Sequence, residues 1–237
     1  SEKIIYLPDT YQANLSKKVL SDSLLSRKAH GLPENGFIFC CFNNAYKITP
    51  TFFESWMRIL NKVENSILWL LVNNENTAKN LMKNALKLGV EDCRIVFAKY
   101  VSNEKHLMRM KHADLFFDTS PYNAHTSCSD ALRIGLPVIT NVGNSFASRV
   151  GASLLKAINL PELITYSQEE YESLAIDLAS DPKKLNAIKE KLMNNIPSSP
   201  LFDSMLFTRN LEKAYHKIYD RSQAGLEPEN IYIENSD

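Results

Sequence analysis

Short apolar runs alternate along this chain with segments whose apolar residues recur at helical spacing. The stretch Gly36 to Asn43, rich in aromatic residues and entered through the turn at 33–36, predicts a strand. Phe52, Trp56, Ile59, Leu60 and Val63 then share one face of a helix predicted over 51–63, with Pro50 suited to a first helical position and Thr49 to the cap before it. Ser66 to Val72 is apolar on both faces, as a central parallel strand is. The same reading predicts a helix over 77–88, a strand over 94–97, a helix over 104–111, a strand over 115–118, a helix after His125 and a strand over 137–140. Helices are predicted again over 146–157, 168–179, 182–194 and 204–221. Alternation of this kind implies βαβ units, hence an α/β fold with a Rossmann-like, doubly wound parallel sheet. In such sheets ligands lie beyond the C-terminal ends of the strands. That sends 43–47, 98–109 and 121–130 to one rim, although they are far apart in sequence.

The segment from Asp114 to Asp130 carries the most chemistry. Leu115 to Asp118 reads as a buried strand, a Pro/Asn turn follows, and His125-Thr-Ser stands where a helix begins, with Asp130 in its first turns. Free N–H groups and the positive end of a helix dipole make such a turn an anion site in outline. Asp130 offers acceptors to sugar hydroxyls, and the Thr126 and Ser127 hydroxyls reach phosphate oxygens. An ordinary Ser/Thr helix cap beside a surface aspartate fits the local pattern equally well.

Composition narrows the field. Lys plus Arg and Asp plus Glu balance at 27 each, so no overall field favours nucleic acid or an anionic membrane. The four cysteines show no CxxC spacing and no Cys/His metal pattern; Cys40, Cys41 and Cys128 lie in or beside apolar runs, which suggests buried thiols in a reducing, cytoplasmic compartment. No apolar run is long enough to span a bilayer, and the N-terminal residues lack a signal-peptide layout. Neither GxGxxG nor a Walker A loop occurs, which disfavours nicotinamide redox chemistry and ATPase activity. The chain divides into an N-terminal extension or inter-domain connection over 1–30, a Rossmann-like domain over 31–221, and a polar, acidic tail over 222–237 expected to be only partly ordered.

Several ordered motifs together resemble one family. They are Phe42-Asn-Asn-Ala-Tyr-Lys-Ile-Thr-Pro50, His106 with Arg109, His125-Thr-Ser, Asp130 and Ser148-Arg-Val150, and the likeness extends through 198–202 and 224–228. The family is that of the protein O-GlcNAc transferases and SPINDLY, and the part resembled is its C-terminal catalytic half. The resemblance implies the nucleotide-sugar-binding half of a two-domain, B-type glycosyltransferase that moves N-acetylglucosamine from UDP-GlcNAc to Ser/Thr of proteins. A GDP-fucose-using, SPINDLY-like protein O-fucosyltransferase is the alternative donor class, and a non-catalytic nucleotide-binding or scaffolding domain the alternative to an enzyme. The His125-Thr-Ser turn leans toward the UDP enzymes.

By that resemblance Lys47 contacts the diphosphate and serves catalysis, since the leaving group gains negative charge in the transition state; a lysine after a strand is otherwise simply solvated. Asn44 is its polar neighbour, with an edge or turn role as the other reading. His106 matches the histidine that packs on the base and Arg109 the residue beside it; on a helix they share a face, which could equally be an exposed basic one. Asn103 departs from the pattern, because animal members carry Lys there, and this puts base or ribose contacts in doubt. His125, Thr126 and Ser127 match the phosphate turn, Asp130 the ribose-binding acid, and Cys128 a packing position. No cofactor is implied: without an Asp-x-Asp site, lysine and helix amides take the place of Mg²⁺. The implied partners are UDP or UDP-GlcNAc and, through an N-terminal half that has no counterpart here, a protein acceptor, with neither nucleic acid nor membrane. No TPR repeat is detectable, and the abrupt start favours a fragment.

Overall fold

Residues 2–14 and 25–234 are described by the computed structural model. In chain order they form β1 (Ile5–Tyr6), β2 (Phe37–Cys41), α1 (Pro50–Lys62), β3 (Ser66–Leu71), α2 (Glu75–Lys87), β4 (Ile95–Ala98), α3 (Asn103–Met110), β5 (Leu115–Phe117), α4 (Thr126–Arg133), β6 (Val138–Asn141), α5 (Val150–Ala157), β7 (Ile164–Thr165), α6 (Gln168–Ser180), α7 (Pro182–Asn195), α8 (Ser204–Gln223) and β8 (Ile231–Tyr232). The caps follow the chemistry expected. Thr49 accepts from the Phe52 amide with Pro50 next to it, Asn74 caps α2, and Asp181 caps α7 ahead of Pro182.

The main sheet is wholly parallel, in the order β4-β3-β2-β5-β6-β7. Two successive connections run outward from β2 to one edge, and the chain then returns beside β2 to build the other half. The order of strands therefore reverses between β2 and β5, whose pairing sets Phe39 against Leu115 and Cys40 against Phe116. A crevice opens where connections diverge in this way, so the ends of β2 and β5 are the place to look for a ligand.

Every residue of β3 is buried, which requires cover on both faces of the sheet. On one face Trp56 of α1 stacks on Phe117 at 5.8 Å and Phe52 meets Tyr171 of α6 edge-on at 5.5 Å. Arg58 and Ser55 of α1 both bond Glu172 of α6, tying those helices together. Elsewhere α4 packs between α3 and α5. No helix among the described residues is long and apolar enough to cross a membrane.

The elements depart from the sequence expectation in three places. The helix expected over 146–157 is broken: Ser145 and Ser148 close a capping box around a 3-10 turn at Phe146–Ser148, and α5 begins only at Val150. Strand β7 was not expected, because two residues carry no periodicity. The tail is also more structured than expected over its described part. Helix α8 continues to Gln223, and β8 pairs in parallel with β1, Tyr6 and Tyr232 stacking at 4.5 Å. Of the N-terminal connection and the tail, residue 1, 15–24 and 235–237 lie outside the described residues.

Candidate functional site

Asp118 follows the last residue of β5 and is completely buried at the point where strand order reverses. Its carboxylate accepts from the amides of Thr119 (2.7 Å) and Ala124 (2.5 Å) and from the Thr140 hydroxyl (2.6 Å), with Asn43 Nδ2 at 3.5 Å. One acid thus ties the ends of β2, β5 and β6 to the loop that leads into α4. Burial pushes its pKa up to about 7, against the pull of those three donors and of Lys47. Gly151, in the first turn of α5, lies directly over this carboxylate. A Cβ there would sit 2.5 Å from both Asp118 Oδ2 and Thr140 Oγ1. Neither neighbour can retreat, so Gly151→Ala is expected to destabilise the fold by about 1–3 kcal/mol. In a chain of this size each kcal/mol lowers Tm by roughly 2–4 °C. A thermal melt within error of wild type would show that α5 can shift away.

Asn123, also buried, clamps the same loop. Its Nδ2 donates to the Thr119 carbonyl at 2.8 Å, and its Oδ1 accepts from the Gly151 amide at 3.4 Å. Its carbonyl receives Lys47 Nζ at 2.9 Å, while that ammonium sits 3.8 Å above the Tyr122 ring. Lys47 ends a 3-10 turn, Ala45–Lys47, that carries the chain off β2. Burial lowers its pKa, and Asp118 and Cys41 oppose that. Lys47 is therefore anchored at the rim, not a mobile surface lysine. Asn44 plays a different part from its neighbour: it is exposed, and its side chain accepts from the Tyr46 amide at 3.5 Å to cap the 3-10 turn.

The helix after the loop begins one residue earlier than a Ser/Thr cap would put it. His125 is the N-cap of α4 (φ −107°, ψ −91°), and its side chain makes no capping bond. Thr126 and Ser127 occupy the first two helical positions, where the backbone N–H groups have no partner inside the helix. The His125 carbonyl takes the amides of Cys128 and Ser129, both at 3.1 Å. Burial and Lys47 lower the His125 pKa, with a backbone contact from Ala147 opposing. Asp130 lies one turn into the helix, half-buried, and its charge acts on Arg133. Cys128 is buried behind the turn, as a packing residue is.

His106 and Arg109 form a second group, on α3 beyond β4. Arg109 is only 4% exposed, which excludes the exposed basic face that their spacing also allowed. It donates to the Lys99 carbonyl at 2.6 Å and, through Nε and Nη2, to His106 Nδ1 at 3.1 and 2.7 Å. A guanidinium can only donate, so Nδ1 accepts and the imidazole proton sits on Nε2. Burial and Arg109 together lower the His106 pKa to about 4, leaving the ring neutral at physiological pH. Both side chains lean on Phe42, His106 edge-on at 5.1 Å and Arg109 at 5.2 Å. Since Phe42 continues directly from β2, the two groups meet at its C-terminal end.

The sequence singled out Asn44, Lys47, His106, Arg109, His125, Thr126, Ser127 and Asp130; it gave no site role to Asp118, Asn123, Asn43 or Gly151. Asp118 did carry a signal, a carboxylate closing an apolar strand. A groove of about 900 Å³ near Asn35, Asn65, Gly89 and Arg94 lies at the opposite ends of the strands and contains none of these residues.

Residues 8–211 match the family described as Glycosyl transferase family 41. The chain is 36% identical over 243 residues to the probable UDP-N-acetylglucosamine–peptide N-acetylglucosaminyltransferase SEC of Arabidopsis thaliana, covering 100% of this chain and 25% of that protein. It is 35% identical over 208 residues to the UDP-N-acetylglucosamine–peptide N-acetylglucosaminyltransferase of Caenorhabditis elegans, covering 88% of this chain and 18% of the relative. It thus spans a quarter or less of the length of these relatives. Among solved structures, a K341M mutant of the Thermobaculum terrenum O-GlcNAc transferase superposes with a TM-score of 0.78 at 28% identity, over 92% of this chain and 42% of that one. Sucrose-phosphate synthase from Thermosynechococcus elongatus, at 14% identity, shares the fold, with a TM-score of 0.61 over 82% of this chain and 48% of its own.

Proposed function

The chain belongs to glycosyl transferase family 41, and from that premise we propose that it holds UDP-N-acetylglucosamine for transfer of the sugar to Ser/Thr hydroxyls of proteins. The observation that carries this reading is the anchored ammonium of Lys47, fixed by the Asn123 carbonyl and the Tyr122 ring on the loop that leads into α4. A diphosphate between Lys47 and the Thr126 and Ser127 amides meets a cation and a helix N-terminus at once. As the glycosidic bond breaks, negative charge grows on the leaving phosphate, and groups already in place stabilise it without reorganising. Asp130, one turn further in, accepts from ribose hydroxyls. Neutral His106, with its proton fixed on Nε2 by Arg109, meets the base by its ring face and that N–H. The free, buried thiols Cys40, Cys41 and Cys128 suit a cytoplasmic setting.

A thermal-shift panel of UDP, UDP-GlcNAc, GDP, GDP-fucose and NAD tests the reading. UDP and UDP-GlcNAc are expected to stabilise the chain by about 2.7 kcal/mol at a hundredfold excess over Kd. GDP and GDP-fucose should do so weakly, and NAD not at all. A guanine preference would transfer the site to the GDP-sugar enzymes, and a flat response to all five would remove nucleotide binding from this chain.

A further inference from the structure

We propose that Tyr11, on the N-terminal segment, is a positioning residue for the anion turn: its hydroxyl holds the His125 ring, and through it the backbone that aims the Thr126 and Ser127 amides. The inference rests on the diphosphate reading of that turn and extends it to a residue 114 positions away in sequence.

The segment carrying Tyr11 is fastened across the helices beside the site. The Asp9 carbonyl accepts from Ser153 of α5 at 3.5 Å, Gln12 Nε2 donates to Ser129 of α4 at 3.2 Å, and Asn14 Nδ2 donates to the Leu201 carbonyl at 3.2 Å. Thr10 between them is buried. These ties bring the Tyr11 hydroxyl to 2.8 Å from His125 Nδ1 and set its ring edge-on to Phe146 at 4.9 Å.

His125 needs such a partner. Its backbone lies outside the regular regions, so neighbouring contacts must hold it there. Its side chain makes no cap of its own. Nε2 is shut away from solvent, and the Ala147 backbone beside the ring favours a ring proton. The Tyr11 contact is the hydrogen bond that holds Nδ1 of this ring. Tyr122 at 5.2 Å and Phe146 at 6.3 Å only flank it. A tyrosine supplies both a rigid ring for the aromatic contacts and a polar tip for Nδ1. Two rotations set that tip, so little freedom is lost in placing it.

The test uses Tyr11→Phe, which keeps the ring packing and removes only the hydroxyl, with Tyr11→Ala beside it. Nitrogen NMR of the His125 ring in the ligand-free protein reads the contact, and calorimetric titration with UDP and with uridine reads its effect. Tyr11→Phe is expected to move the ring resonances, to lower UDP affinity roughly fivefold, to leave uridine affinity unchanged, and to lower Tm by no more than about 5 °C. Tyr11→Ala should lose more UDP affinity in the same direction. Unmoved resonances, moved resonances with unchanged UDP affinity, or equal losses for UDP and uridine would each overturn the proposal. If wild type itself binds UDP no better than uridine, the diphosphate reading fails; the ring resonances then still decide whether Tyr11 sets His125.

Discussion

Lys47→Ala is expected to lower affinity for UDP by roughly ten- to a hundredfold while leaving uridine almost unaffected, the range that a charge-assisted hydrogen bond spans. The asymmetry follows from the geometry. Lys47 Nζ spends one N–H on the Asn123 carbonyl and rests against Tyr122, and an ammonium has further donors for a diphosphate. Uridine brings no phosphate and so loses nothing directly. Lys47→Arg should recover only part of the loss. A planar fork does not fit the space between Asn123 and Tyr122 that a compact ammonium fills. Calorimetry with both ligands on all three proteins checks this. Equal losses for uridine and UDP would mean that the turn has collapsed or that Lys47 touches the base. No loss at all would remove Lys47 from the site.

Asp118→Asn is expected to gain stability relative to wild type as pH rises from 4 to 8. The sign follows from linkage. In the folded chain Asp118 keeps its proton up to about pH 7, whereas the unfolded chain releases it near 3.8. The folded state therefore binds more protons between those values, so this group's contribution to wild-type stability is full below 3.8, falls through the window, and is flat above 7. The swing is on the order of 4 kcal/mol. An asparagine can still accept from the Thr119 and Ala124 amides through its oxygen and donate to a rotated Thr140 hydroxyl, and it does not titrate. All other titrating groups are common to both proteins and cancel in the difference. Denaturant unfolding of the pair at several pH values reads it out, and a constant difference would mean that Asp118 is ionised throughout.

Much of this arrangement was legible in the sequence because the signals were local. Thr49-Pro50 announced the start of α1, the two-faced apolar run at Ser66 announced a central strand, and the spacing of His106 and Arg109 placed them on one helical face. What that face meets could not be read. Arg109 is buried on Phe42 because β2 passes beneath α3, a consequence of strand order and not of anything near residue 109. The same holds for Gly151, whose lack of a side chain matters only because Asp118 and Thr140 converge under it. Thr126 and Ser127 matched the phosphate turn, yet His125 takes the cap itself, since its carbonyl is what Cys128 and Ser129 reach. Tyr11 gave no local sign, being linked to its partner only through the folded chain.

The pairing of β1 with β8 bears on how the molecule assembles. Ile231 and Ile233 donate to the carbonyls of Ile4 and Tyr6, each at 3.0 Å, and the Ile4 amide bonds Asn230, 226 residues away. Closing so long a loop costs entropy that two short strands with exposed edges barely offset. Contacts of this separation are slow to form, because the loop must close before they are rewarded. Just beyond β1 lies the strap that carries Tyr11. The contacts of the central sheet, of Asp118 and of the Lys47 anchor use no residue of this pairing or of the strap, whereas the hydrogen bond to the His125 ring depends on the strap.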